Sequence, residues 1–182
     1  MLQFVNKVLT KIKKQETVDP VIVDTIVDFI RTYADRTHHG KEEDILFREL
    51  KEKNMSNDNR RIMDELIEEH IFGRKITEEL IEANDRYKRG GNSTLSIITA
   101  KLSTLVDFYP KHIEKEDKVF FPASRAYLSK EEEQAMIKEF WEFDRKMIHE
   151  KYETLVQELM ADWSMPNKNK QAATNGHADR QY

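Results

Sequence analysis

The 182-residue chain predicts an all-α protein, and three observations carry the prediction. Only 5 glycines and 4 prolines interrupt a text that is 35% charged and 38% hydrophobic, rich in Glu, Lys, Leu and Ile, which is helix-forming composition. Apolar residues recur at spacings of three and four over long stretches, the period of a helix with one buried face. The pattern H-x-x-K-E-[ED]-x-x-x-F occurs at His38–Phe47 and again at His112–Phe121, 74 positions apart. Each copy places an imidazole and a carboxylate one helical turn apart on the same face.

The first helix runs from Leu2 to about Lys14, with Leu2, Val5, Leu9 and Ile12 on one stripe. A connector from Gln15 to Pro20 follows. Asp19 is its N-cap and Pro20 the first helical residue, where the missing N–H has no partner to lose. The second helix extends to about Asn54, and its inner stripe reads Val23, Val27, Ile30, Ala34, His38, Glu42 and Ile45. In α-helical phase His39 points about 100° away from that stripe. The phase therefore selects His38 and leaves His39 and Glu43 to brace the ligands from behind or to face solvent.

Ser56 to Asn59 form a polar turn with capping residues. The third helix then runs to about Lys88 on the stripe Met63, Leu66, His70, Gly73, Thr77, Leu80, Asn84 and Tyr87. Gly73 costs about 1 kcal/mol of helix propensity relative to Ala and marks a close approach by a neighbour. Arg89-Gly90-Gly91-Asn92-Ser93 is the clearest break in the chain. In the fourth helix Leu95, Ile98, Leu102, Leu105, Tyr109, His112, Glu116 and Val119 face inward. Pro110 predicts a kink just before His112, and Phe120-Phe121-Pro122 ends the helix. A fifth helix from Ser129 to about Trp163 opens with Ser-Lys-Glu-Glu in capping-box fashion. The expected organisation is a helical bundle over residues 1–163 and a disordered tail over 164–182, where no periodicity survives.

His38, Glu42, His112 and Glu116 lie on apolar stripes, where an unpaired buried carboxylate is costly, so they read as metal ligands rather than as solvated charge. A His/Glu donor set suits a hard-to-borderline ion such as iron. Di-metal bundles project such ligands inward from facing helices. His70, alone in mid-stripe, reads as a ligand or as a satisfied core histidine. Lys41, Arg74 and Lys115 pair with the carboxylates or belong to the bundle surface. Tyr33, Tyr109, Phe120 and Phe121 read as core, with Tyr109 one turn from His112 and placed to hydrogen-bond an exogenous ligand.

Composition also excludes. The net charge is −4 with the signs interspersed, and no basic stripe argues for nucleic acid. No apolar run approaches the roughly 20 residues of a membrane span and no signal peptide opens the text, so a cytoplasmic protein without membrane association is expected. Zero cysteines remove disulfides, thiolate zinc sites and cysteine nucleophiles together.

The segments His38-His39-Gly40-Lys41-Glu42-Glu43-Asp44-Ile45-Leu46-Phe47, Glu69-His70-Ile71-Phe72-Gly73-Arg74 and His112-Ile113-Glu114-Lys115-Glu116-Asp117 resemble the prokaryotic hemerythrin-like (HHE cation-binding) domain family. The likeness runs from the first helix to about Leu159. It implies an up-down four-helix bundle (hemerythrin-like) with an additional C-terminal helix. It also implies a non-haem di-iron centre of two Fe ions, with other divalent metals as possible substitutes, in which Glu42 and Glu116 bridge and histidines complete the coordination. By position the ligands are His38, Glu42, His70, His112 and Glu116. Leu2 stands where the family places a first-helix histidine, so the chain lacks that ligand or a short upstream piece. Arg74 stands where oxygen-carrying hemerythrins have a further histidine, so five-histidine coordination is not implied. His149, on the additional helix, reads first as a surface or packing histidine and second as a further metal ligand approaching the open position.

The resemblance implies a protein that binds or senses O2, NO or a related small molecule at an open iron position. The alternative is a di-iron enzyme of the ferroxidase, peroxidase or iron-cluster repair type. A metal-free interaction bundle is the third reading, and the histidine spacing speaks against it. No protein partner is indicated.

Overall fold

Leu2–Gln15 forms α1 on the expected stripe and buries Val5, Val8, Leu9 and Ile12. The computed structural model describes residues 1–164; the expected tail lies, from residue 165 on, outside the described residues. Asp19 accepts a hydrogen bond from the Val21 N–H at 2.9 Å, so cap and proline start the next helix as predicted. That helix, α2, begins as Pro20–Phe29 and continues as one rod through Ile30–His39 and Glu42–Phe47 to Arg48–Lys51.

Ile30–His39 and Glu42–Phe47 are π-helical. Their i→i+5 bonding takes an extra residue into the turn. This widening corrects the phase expected from sequence. At the end of the first π segment the inward position slips by one, so His39 is only 2% exposed while its neighbour His38 is exposed, and Glu42 and Ile45 keep the buried places of the expected stripe. Tyr33, expected in the core, is exposed and stacks on Phe29.

Helix α3, Asn57–Lys88, is capped by the Ser56 hydroxyl, which accepts from the Asn59 N–H at 3.2 Å. It buries Met63, Leu66, His70, Thr77, Leu80 and Asn84. A Cβ at Gly73 would meet Phe108 and Tyr109 at 3.6 and 3.7 Å, ordinary contact, so the close approach expected there is absent. Helix α4 passes through the exposed Pro110 over Leu95–Lys115, turns π-helical at Glu116–Phe120 and finishes with Phe121–Ser124. The π turn shifts the phase here too. Val119, expected on the inward stripe, is exposed while Phe120 is buried as its core reading expects, and Pro122 opens the last turn instead of ending the helix.

Helix α5, Lys130–Ser164, opens with the predicted box: Ser129 and Glu132 exchange hydrogen bonds of 2.8 and 3.2 Å between side chains and backbone N–H groups. The chain divides into two units, Met1–Phe143 and Asp144–Tyr182. The described part of the second unit is the remainder of α5.

Within the first unit α1 packs on α4, α2 on α3 and α3 on α4, an all-α four-helix bundle. Two apolar clusters fill it. One gathers Val5, Ile26, Ile30, Leu80, Leu102 and Leu105. The other gathers Ile45, Phe47, Leu50, Leu66 and Phe120, with Phe140 and Phe143 from the start of α5 against it. Arg48 grips Glu139 through two hydrogen bonds of 3.0 and 2.9 Å. A Cβ at Gly40 would lie 2.8 Å from the Phe143 ring, so this glycine lets α5 settle on α2. No helix among the described residues is long and apolar enough to cross a membrane.

Candidate metal centre

Each ligand-bearing helix leaves one apolar cluster, crosses a polar layer and enters the other. α2 goes from Ile30 through His38, His39 and Glu42 to Ile45; α3 from Leu66 through His70 to Ile76; α4 from Tyr109 through His112 and Glu116 to Phe120. The layer resolves into two groups. His39, His70 and His112 are all buried, and a second set joins the buried Glu42 and Glu116 to the exposed His38. Within each set, one ligand atom per residue lies within 4.8 Å of the others.

The two glutamates straddle these sets. Glu42 turns Oε1 to His38 Nε2 at 3.4 Å and Oε2 to His70 Nε2 at 3.3 Å. Glu116 turns Oε2 to His38 Nε2 at 3.8 Å, and Oε1 to His112 Nε2 at 3.0 Å and His70 Nε2 at 3.7 Å.

Behind each buried imidazole stands a carboxylate. His70 Nδ1 is 2.7 Å from Glu43, His112 Nδ1 is 2.8 Å from Glu69, and His39 Nδ1 is 3.5 Å from Asp35. Cations anchor these carboxylates in turn. Arg74 donates to Asp35 at 2.8 Å and also to Glu43, and Lys115 donates to Glu69 at 2.6 Å and Glu65 at 3.3 Å. Such a chain fixes ring orientation and aims the free nitrogen of His70 and of His112 inward.

The electrostatics describe a hole made for positive charge. Burial pushes His70 down, but Glu116, Glu42 and Glu43 outweigh it and raise its pKa to about 10. Burial likewise pushes His112 down, but Glu116 and Glu69 outweigh it and raise its pKa. Glu116 lifts His38 against a smaller burial effect. His39 goes the other way, because burial outweighs the pull of Asp35. Burial disfavours an ionised Glu116, yet His112, His38 and His70 hold it well below the ordinary carboxylate range.

Among the described residues, Nε2 of His70 and of His112, both oxygens of Glu42 and Oε1 of Glu116 are buried without a hydrogen-bond partner. Orphaned buried carboxylate oxygens are expensive. A cation shared among these nitrogens and oxygens satisfies all of them, and the mixed N/O set matches iron-type ions. The residues fit a metal.

Sequence reasoning finds His38, Glu42, His70, His112 and Glu116, and the fold brings these five together. His149 is exposed on α5 in the second unit, whereas both groups lie in the first. His39 was placed off the stripe, and the π segment of α2 puts it in the buried set. Asp35 and Glu69 were missed. Asp35 carried a signal, standing four residues before His39. Glu69 serves a histidine on another helix, which only the packing reveals. Arg74 and Lys115 prove to be carboxylate partners, whereas Lys41 lies 5.9 Å over the Phe140 ring.

A cavity of about 620 Å3 opens onto the centre. Leu2 lines it, on the core face its stripe predicted, together with His38, His39, His112 and Glu116.

The family model described as Hemerythrin HHE cation binding domain matches residues 1–124, a span that includes both groups and stops before α5. No curated protein and no solved structure matches the chain.

Proposed function

Because the chain belongs to the hemerythrin HHE cation-binding domain family, we propose that its centre holds two iron ions and takes up O2, NO or a related small molecule at an open coordination position. The observation that carries this reading is the straddling of the two glutamates. Each turns one oxygen to His38 and the other to the buried histidines, so two neighbouring cations would share both carboxylates. His39, His70 and His112 would supply nitrogens to one ion. His38 would supply the other, which would be left with the fewest protein nitrogens, and residues of both groups line the cavity.

Iron, when bound, supplies the electrons and the vacant position for the incoming molecule. The chain's own residues do the rest. Asp35, Glu43 and Glu69 hold the imidazoles in place, and the apolar clusters on either side exclude water. Burial raises the Tyr109 phenol to about 12, so its hydroxyl stays protonated beside the cavity and can donate a hydrogen bond.

Anaerobic metal analysis with an optical spectrum before and after O2 tests the proposal. Two irons per chain and a reversible new absorption band are expected. Fewer than two irons would overturn the di-iron assignment, and catalytic turnover of peroxide or ferrous iron would assign the enzyme reading instead.

A further inference from the structure

The cavity above the centre is far larger than a diatomic molecule requires. It is an open cleft of about 620 Å3, against roughly 30 Å3 for a water-sized guest. That volume falls within the range of sites for organic molecules, which combine apolar walls with a few polar groups at one end. The walls here are Leu2, Val5, Phe29, Ile30, Leu105 and Ile113, and the floor is His38, His39, His112 and Glu116. The mouth lies by Tyr33 and Ile113, both exposed. No lysine or arginine lines the cavity.

From this shape we infer that the cavity binds an organic monocarboxylate, its apolar body along the α1–α2–α4 wall and its carboxylate head at the metal centre. The inference rests on the two-metal reading. Asp117 also lines the cavity, and two divalent cations would outweigh the charge of Glu42, Glu116 and Asp117 together, so the floor attracts an anion and repels a cationic head. A carboxylate is also the hard oxygen donor that such ions prefer. With no cationic side chain on the wall, the bound metal is the counter-charge, so head-group binding depends on metal. The apolar wall adds affinity with each methylene removed from water. A free diatomic or acetate, with little apolar surface to bury, gains little from such a wall.

Sodium decanoate, held below its micellar concentration, is the probe, titrated into the cobalt(II)-loaded and metal-free chain by calorimetry and by the visible cobalt bands. Acetate keeps the head without the body, and decanol keeps the body without the head. Decanoate should shift the cobalt bands and bind at least tenfold tighter than either control, and tighter to loaded than to metal-free protein. Ala34→Trp, which fills the cavity from α2, should weaken decanoate at least tenfold at unchanged cobalt stoichiometry. Leu2→Trp fills it from α1 and serves if the first variant does not fold. Decanoate binding no tighter than acetate, equal binding with and without metal, or indifference to both tryptophans would overturn the inference while leaving the metal reading intact. A chain that loads no cobalt would overturn the metal reading first.

Discussion

The two copies of the repeated motif are not used alike. In α4 the histidine is buried, and its Nε2 lies 3.0 Å from the glutamate one turn on. In α2 the corresponding His38 is exposed, 3.4 Å from Glu42, and the adjacent His39 takes the buried place. The difference lies in where the π turns fall. In α2 a π segment, Ile30–His39, precedes the glutamate; in α4 the π segment starts at Glu116, after the histidine. A motif therefore fixes which residue types stand one turn apart, while the helix beneath decides which of them faces the core.

Removing what both copies share should have the largest effect. In Glu42→Ala/Glu116→Ala, two-metal loading should be lost altogether, as read by metal analysis of dialysed protein. Unchanged loading would contradict the bridging role of these carboxylates. The next experiment separates the copies. His112→Ala and His39→Ala should each lower metal affinity by about a hundredfold or more, because each removes a buried nitrogen and leaves charged neighbours unpaired. His38→Ala, at an exposed position, should cost about tenfold. Equal losses at His38 and His112 would mean the two motifs are equivalent after all.

A smaller effect is expected one layer out. Asp35→Asn and Glu69→Gln should each weaken metal binding by about 10–100-fold, the usual cost of losing a carboxylate that orients a metal-bound imidazole. Since Asp35 supports His39 and Glu69 supports His112, similar losses would show that both buried histidines depend on their braces.

The smallest effect concerns pH. In metal-free protein His70 is raised to about 10 from an ordinary 6.5. Its stabilising charge is fully present below pH 6.5 and is lost as pH rises through about 10. Glu116 is depressed, so its contribution is present above the ordinary 4.5 and is lost as pH falls. Thermal midpoints of metal-free protein should therefore fall by several degrees between pH 6.5 and 10. Metal uptake, which must displace the His70 proton, should weaken as pH falls. NMR titration should also find His112 protonated at a pH where His39 is already neutral, matching their opposite shifts.

Much of the fold was legible because its signals are local. Asp19 and Pro20, the Ser56 cap, the Ser129–Glu132 box and the 3,4 stripes of α1 and α3 each act within a few residues, and each appears where the text places it. The site was legible as far as α-helical phase holds. His70, His112 and Glu116 are buried where their stripes put them, because α3 and the first part of α4 keep that phase. The burial of His39 and the exposure of Val119 run against the stripes, because π turns carry no apolar period of their own. Glu69 was invisible for another reason: its partner lies 43 residues away on a neighbouring helix.

The π segment of α2 can also be counted in insertions. A helix that bonds i→i+5 over one stretch carries one residue more than an α-helix covering the same path. Between Ile30 and His39 the chain thus holds a surplus residue, and its effect is to exchange one histidine for its neighbour. Deleting a single residue from that stretch would return the helix to α phase and leave His39 inward, whereas the full-length stretch wound in α phase would turn His38 inward instead. The spelling His38-His39 supplies both outcomes, so the bonding of the turn, and not the residue types, sorts the ligands.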